Sequence, residues 1–499
     1  MNADGKSDGS IVPSSPTNKG DAVSPAESAE GRLPAKRNID KSALSRTPSR
    51  NRRRSRGLLG VREAARKSRD LNLTALLHHI NEELLTASFY QLRKKAAVGV
   101  DQVTWHEYEV GLADRIADLH GRVHRGAFRA KPSRRVYIEK SDGRKRPLGI
   151  AAVEDKIVQQ AVRTVLQCIY EEDFLGFSYG FRPGRSAYQA LDALSVAITD
   201  KRVNWVLDAD IKGFFDKIDR DWLIKFLEHR VGDRRILRLI RNWLNAGIIE
   251  EGNWMDTGEG TPQGSVISPL LANVFLHYVF DLWIDWWRKN YARGQCIVIR
   301  YADDFVIGFE READARACVE ALHERVQKFG LTLHPEKTRL IEFGRHAARR
   351  RQQAGLGLPE TFDFLGMTHI CGMTRKNKRF VLWRRSVAKK MTRKLAELKI
   401  ELRKRRHDSV GETGRWLRSV VQGWLNYHAV PNNMRRLKQF VAEISKLWLR
   451  QLQRRSQRGR ARWNWTRMHR LVLLYLPRPR ILQPYPGDRF RARLAARAV

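Results

Sequence analysis

The stretch 296–310, CIVIRYADDFVIGFE, constrains this chain more than any other. Ile297 to Ile299 form an apolar run, Tyr301-Ala302-Asp303-Asp304 interrupt it, and Phe305 to Phe309 form a second run. β-Branched and aromatic residues on both sides predict two strands, and the polar centre predicts a hairpin tip. Adjacent carboxylates between buried strands are costly unless a cation meets them. A hard divalent ion is the natural partner, because Mg²⁺ takes carboxylate oxygens together with substrate phosphates. An Asp-Asp pair alone is more often only a polar turn, so the rest of the chain has to decide.

A second strand carries acids as well. In 204–218, NWVLDADIKGFFDKI, period-2 alternation puts Val206, Asp208 and Asp210 on one face and Leu207, Ala209 and Ile211 on the other. The segment 140–147, KSDGRKRP, predicts a hairpin with an Asp-Gly turn that gathers Lys140, Arg144, Lys145 and Arg146. The glycine-rich 258–273, GEGTPQGSVISPLLAN, runs into a helix, and such a loop can approach phosphate or a base pair closely. Taken together, Asp210, Asp303 and Asp304 suit two divalent metals roughly 3.5–4 Å apart. Lys140 and Arg146 suit a triphosphate, and the loop at Gln263 and Gly264 suits an incoming base pair. Metal, triphosphate and a basic cleft make a nucleotide polymerase.

Charge agrees. The 499 residues carry Lys+Arg 94 against Asp+Glu 54, a net charge of +40 and a pI near 10.7, which reads as a nucleic-acid binder. A membrane surface is a weaker alternative, since no apolar run approaches the ~18 residues a span requires. Cys168, Cys296, Cys318 and Cys371 are too scattered for a disulfide framework or a metal knuckle, and are expected as reduced core thiols of a cytoplasmic protein.

Along the chain, 1–57 is rich in Ser, Pro, Gly and Arg and is expected to be a disordered basic tail. Helices are expected over Leu71–Leu92, Ala113–Val123, Asp155–Tyr170 and Trp222–Ala246. Val158, Ala161, Val162, Val165 and Ile169 form the apolar face of the third. A strand is expected at Leu331–Leu333. From Arg375 to Arg406 there are 15 basic residues and only Glu397 and Glu401 as acids. Basic helices follow, and Arg454–Arg470 interleaves seven Arg with Trp463 and Trp465, a pattern that suits single-stranded or distorted nucleic acid.

YADD at 301–304, DIKGFFD at 210–216, GTPQGSVISPLLAN at 260–273, KSDGRKRPLGI at 140–150 and GFRPGRS at 180–186 resemble the ordered blocks of group II intron reverse transcriptase/maturases. LHPEKT at 333–338 and FDFLGM at 362–367 follow in family order. The resemblance covers about 58–475. It implies an α/β (α+β) right-hand polymerase: an N-terminal helical extension of the fingers at 58–119, fingers and palm at 120–369, and an all-helical thumb, or maturase domain, at 374–475. An extended tail at 476–499 and no endonuclease domain would complete the chain. The same resemblance assigns Asp210, Asp303 and Asp304 to two Mg²⁺ ions, with Mn²⁺ as an alternative, and Lys140 and Arg146 to the triphosphate. Phe215 falls at a gate against the ribose 2′-OH, Gln263 at a nucleotide-contacting glutamine and Lys337 at a palm lysine near the phosphates. Implied partners are the intron RNA, a DNA target and primer, and dNTPs, with association to the nucleoid when DNA is bound. A retron, diversity-generating or phage-defence reverse transcriptase and a splicing-only maturase are the competing readings. The intact Gln263-Gly264, the absence of a VTG tripeptide late in the palm region and the three retained acids weigh against them.

Overall fold

The structure is a computed structural model, and it describes residues 51–139, 145–250, 253–255, 264–374 and 379–489. In chain order the helices used below are α1 (Asn51–Lys67), α2 (Glu82–Gln91), α3 (Leu112–Arg125), α4 (Val153–Asp173), α5 (Ala187–Asp200), α6 (Arg220–Glu228) and α7 (Arg234–Asn245), then α8 (Ser268–Leu276), α9 (Leu282–Asn290) and α10 (Glu312–Gln327), and finally α11 (Ala388–Lys404), α12 (Val410–His428), α13 (Met434–Gln453) and α14 (Trp465–Tyr475). The strands are β1 (Ser133–Glu139), β2 (Lys145–Ile150), β3 (Trp205–Asp210), β4 (Ile248–Glu250), β5 (Asn253–Met255), β6 (Cys296–Tyr301), β7 (Asp304–Phe309), β8 (Arg339–Glu342), β9 (Phe362–Phe364), β10 (Met367–Met373) and β11 (Phe380–Ser386). They form three sheets, ordered β2-β1-β4-β5, β6-β7-β3-β8 and β11-β10-β9.

The described residues divide into two compact units, those within 1–186, 207–307 and 313–339, and those within 187–206, 308–312 and 340–499. The acid-bearing ends of β3 and β7 belong to the first. There, α4 buries the expected face: Val158, Ala161, Val162, Val165 and Ile169 are each fully shielded from solvent. The basic hairpin is also present. β1 and β2 pair antiparallel with Glu139 opposite Lys145, while its turn, 140–144, lies outside the described residues.

Three local expectations change. A helix starts at Asn51, ahead of the Leu58 at which order was expected. Leu71–Leu92 is not one helix: Leu73 bridges Val231, and α2 begins only where the Asn81 side chain accepts the Leu84 N–H. Trp222–Ala246 is likewise two helices, because Asp233 caps α7 by accepting from the Arg235 N–H. That carboxylate also accepts the Leu76 and Leu77 amides at 3.0 and 2.9 Å. Burial opposes its charge, but these hydrogen bonds and the Arg235 guanidinium bring the Asp233 pKa down to about 2. Beside it, buried Arg230 donates to the carbonyls of Ala65, Ser68 and Leu71, so residues 65–77 are held by partners 156 to 165 positions downstream. Periodicity within a window cannot register such partners.

The second unit is helical from Ala388, but β11 precedes that helix and pairs antiparallel with β10, Met367 opposite Ser386. The expected helical region therefore opens on a strand. Helices α11 to α14 share one core, in which Leu398, Leu417, Val421, Phe440, Ile444, Trp448 and Met468 are buried. Under β11, Arg384 donates to buried Asp192 of α5 at 2.8 Å. No helix among the described residues is long and apolar enough to cross a membrane, and all four cysteines are free.

Candidate active site

β3 carries its acids as alternation dictates. Leu207, Ala209 and Ile211 are buried on one face, while Asp208 and Asp210 are half-exposed on the other. Val206, on the acid face, is nevertheless buried. In the sheet β3 lies between β7 and β8, so the strand that begins at Asp304 runs beside the strand that ends at Asp210.

The tip between β6 and β7 is tight. Tyr301 ends one strand, Asp304 starts the next, and Ala302 between them has φ 57°, a left-handed conformation unusual for a residue with a Cβ. Asp303 is half-buried and Asp304 exposed, whereas Phe305 to Phe309 are fully in the core. The apolar runs thus anchor a polar tip.

The segment after α10 closes on the end of β3. The His334 amide donates to the Asp210 carbonyl at 2.8 Å, and Ile211 bridges Leu333. The expected strand at Leu331–Leu333 is reduced to this single bridge. A turn then carries Lys337 back, and its ammonium pairs with Asp210 Oδ2. Lys337 and Asp210 are therefore in direct contact.

Phe215 lies just past β3 in a 3₁₀ turn, Phe214–Asp216, which left-handed Gly213 opens with φ 63°. Phe214 is buried, and Phe215 is half-exposed with its ring centroid 5.4 Å from that of Phe214. Lys140 and Gln263 lie outside the described residues. Arg146 is described only by its backbone, in β2 opposite Ile138. Just after Gln263, Gly264 takes φ 110° against the Gly149 carbonyl. Ser265 Oγ and the Val266 amide both donate to Gln159 Oε1, at 2.9 and 3.1 Å, which fixes the loop on α4.

Among the described residues no group of three or more His, Cys, Asp or Glu stands assembled as a metal site. The carboxylates on the tip and on β3 are nonetheless hard oxygen donors, and a cation, Lys337, already sits on Asp210. This donor chemistry suits a divalent cation.

Sequence reasoning missed the support beneath the tip. Arg300, Asp281 and Asn273 are buried, and the Arg300 guanidinium donates to both of the others. An arginine inside the apolar run of β6 was the available signal.

Comparison with known proteins agrees with this geometry. Residues 138–369 match the family model described as reverse transcriptase (RNA-dependent DNA polymerase). The chain is similar to Protein YkfC of Escherichia coli, 33% identical over 316 residues that cover 55% of this chain and 82% of that protein. It is similar to the group II intron-encoded protein LtrA of Lactococcus lactis subsp. cremoris, 43% identical over 153 residues, 30% of this chain and 25% of LtrA. A third likeness is to nuclear intron maturase 3, mitochondrial, of Arabidopsis thaliana, 25% identical over 171 residues, 33% of this chain and 23% of that one. The chain thus spans about a quarter of these two longer intron proteins. With the acid-bearing strands, the hairpin tip and the lysine-paired aspartate inside the matched region, the chain belongs to the group II intron-encoded reverse transcriptase/maturase family of RNA-dependent DNA polymerases.

Proposed function

We propose that this protein copies intron RNA into DNA at the Asp210–Asp303–Asp304 site and holds the same RNA through its basic helices as a maturase. The observation that carries the polymerase reading is the meeting of two acid-bearing strands, β3 and β7, inside the reverse-transcriptase match, with Lys337 on Asp210. Asp210, Asp303 and Asp304 would hold Mg²⁺ or Mn²⁺. Held there, such ions would supply Lewis acidity to the primer 3′-hydroxyl and the departing pyrophosphate.

The chain's own groups do the rest. Lys140 and Arg146 grip the triphosphate of the incoming dNTP. Gln263 contacts the nucleotide, and the Gly264 turn lets backbone approach the base pair. Phe215 blocks a ribose 2′-OH and so selects dNTPs. Lys337 neutralises Asp210 in the free protein and turns to the phosphates when nucleotide enters. The fingers and palm occupy 120–369 and the thumb follows from 374.

RNA retention rests on the second unit. α11 turns Met391, Leu398 and Leu402 inward, so its basic residues face outward, and Trp465 at the start of α14 is 54% exposed. Phosphate contact supplies the affinity of such a surface, and stacking on exposed aromatics supports it. Site of action is proposed as the cytoplasm, at the nucleoid when DNA is engaged.

Asp303→Ala tests the reading. It should abolish primer extension on an RNA template while leaving intron RNA binding within about twofold of wild type. Survival of extension would remove the metal assignment. Splicing of the cognate intron at low Mg²⁺ tests the maturase half separately, and no stimulation there would remove it while leaving the polymerase standing.

A further inference from the structure

Arg300 lies inside β6, two residues before the left-handed Ala302, and is completely buried. A guanidinium has five N–H donors, and here every one has an acceptor. Nε and Nη2 donate to Asp281 Oδ1 and Oδ2, both at 2.6 Å. Nη1 donates to Asn273 Oδ1 and to the Ala302 carbonyl, both at 3.0 Å. Nη2 donates also to Ser178 Oγ at 2.7 Å.

The clasp extends outward from there. Asn273 passes its own amide N–H to the Gly180 carbonyl at 2.7 Å. A Cβ on Gly180 would run into the Ala302 amide nitrogen. The backbones of Phe177, Tyr179 and Arg300 are bonded too, Arg300 N–H to the Phe177 carbonyl and Tyr179 N–H to the Arg300 carbonyl, each at 2.9 Å. Asp281 reaches Arg300 from a π-helical turn, His277–Asp281, inserted between α8 and α9. Such single turns re-aim side chains and concentrate at functional sites.

The geometry points to Arg300 as the positioning residue of the site, a buried guanidinium that fixes the Ala302 carbonyl and so aims Asp303 and Asp304 at the metal. The assignment rests on the polymerase reading above. Asp281 holds the guanidinium in its plane by a bidentate, charge-assisted pair. Asn273 couples the tip to the loop at Gly180, and Ser178 completes the set of acceptors. A left-handed alanine persists only where its surroundings over-determine it, and here the carbonyl of that alanine is one of the five acceptors.

The test compares the full chain with Arg300→Lys and Ser178→Ala. The readouts are Mn²⁺ affinity by electron paramagnetic resonance of the free ion, amide hydrogen exchange over 301–304, primer-extension kcat, and affinity for an RNA–DNA primer–template. Arg300→Lys keeps the charge but not the five-donor geometry. It should weaken Mn²⁺ binding and kcat by roughly 10- to 100-fold, as loss of support behind metal ligands does, with faster exchange at the tip and unchanged primer–template affinity. Ser178→Ala removes one acceptor, should fold like wild type, and should shift the same quantities in the same direction by less. If Arg300→Lys does not fold, Ser178→Ala decides. Mn²⁺ affinity and tip exchange equal to wild type in a folded variant overturn the assignment, as does an activity loss that only follows the folded fraction. Wild-type protein that neither binds Mn²⁺ nor extends a primer overturns the polymerase reading itself.

Discussion

The ammonium of Lys337 rests on Oδ2 of Asp210, 127 residues away in sequence. The lysine side chain is 59% exposed, so the pair contributes at most about 1 kcal/mol to stability. Lys337→Met should therefore melt within a degree or two of wild type by calorimetry and still lose primer extension. Asp210→Asn should fold equally well and lose at least ~100-fold in kcat, the scale on which removal of one electrostatic partner of a transition state is felt. A large drop in melting temperature for either variant would make the pair structural.

Phe215 is placed to test nucleotide choice without disturbing the core, because Phe214 rather than Phe215 is the buried ring of the turn. Phe215→Ala should raise incorporation of rNTPs relative to dNTPs by about 10- to 100-fold, as expected when one steric contact decides between substrates. Single-nucleotide extension with matched dNTP and rNTP pairs measures the ratio. An unchanged ratio with retained kcat would reassign the gate.

Asp155 at the start of α4 gives a pH dependence. Its carboxyl is buried, and burial raises its pKa from 3.8 to about 7, against hydrogen bonds from the Lys131 amide and Trp243 Nε1. Between pH 4 and 7 the folded state therefore binds a proton that the unfolded chain has released. This group's contribution is full below pH 4, falls as pH rises towards 7, and is flat above it. Urea unfolding of wild type and Asp155→Asn at pH 5 and pH 7.5 should show wild type losing ground to the variant as pH rises, by at most about 1.4 kcal/mol per pH unit. An opposite slope would mean that the two hydrogen bonds outweigh burial.

In the second unit, Arg384 and Asp192 are nearly solvent-free at 2%/6% side-chain exposure. Arg384→Met leaves Asp192 with a second partner, Arg489 at 3.0 Å, so it should cost less than the roughly 3–5 kcal/mol of a buried charge left with none. The double variant Asp192→Leu/Arg384→Met should recover most of that loss. Chemical denaturation of wild type, the two single variants Asp192→Leu and Arg384→Met, and the double variant measures the coupling.

The hairpin tip was legible in the sequence because acids between two apolar runs contradict burial, and the contradiction marks the site. The apolar face of α4 was legible because Val158, Val162 and Val165 repeat at helical spacing over several turns. The break between α6 and α7 was not, since Asp233 caps there in concert with Leu76 and Leu77, which no window of sequence contains. Leu331 and Leu333 alternate like a strand and are buried like one, but only Leu333 forms a β-bridge, while the Leu331 amide turns back to the Val326 carbonyl. Arg300 was hidden for a further reason: a single charge in a strand predicts a partner without saying that the partner is a π-turn aspartate on another element.

The attachment of residues 65–77 to Arg230 and Asp233 has a consequence on the ribosome. At 5–20 residues per second, the carbonyls of Ala65, Ser68 and Leu71 emerge roughly 8–30 s before the Arg230 guanidinium that donates to them. The segment 65–77 must wait, solvated or chaperoned, for more than 150 residues of nascent polypeptide. Truncated nascent chains that stop before Arg230 should leave that segment open to protease, and chains that pass Asp233 should close it in one step.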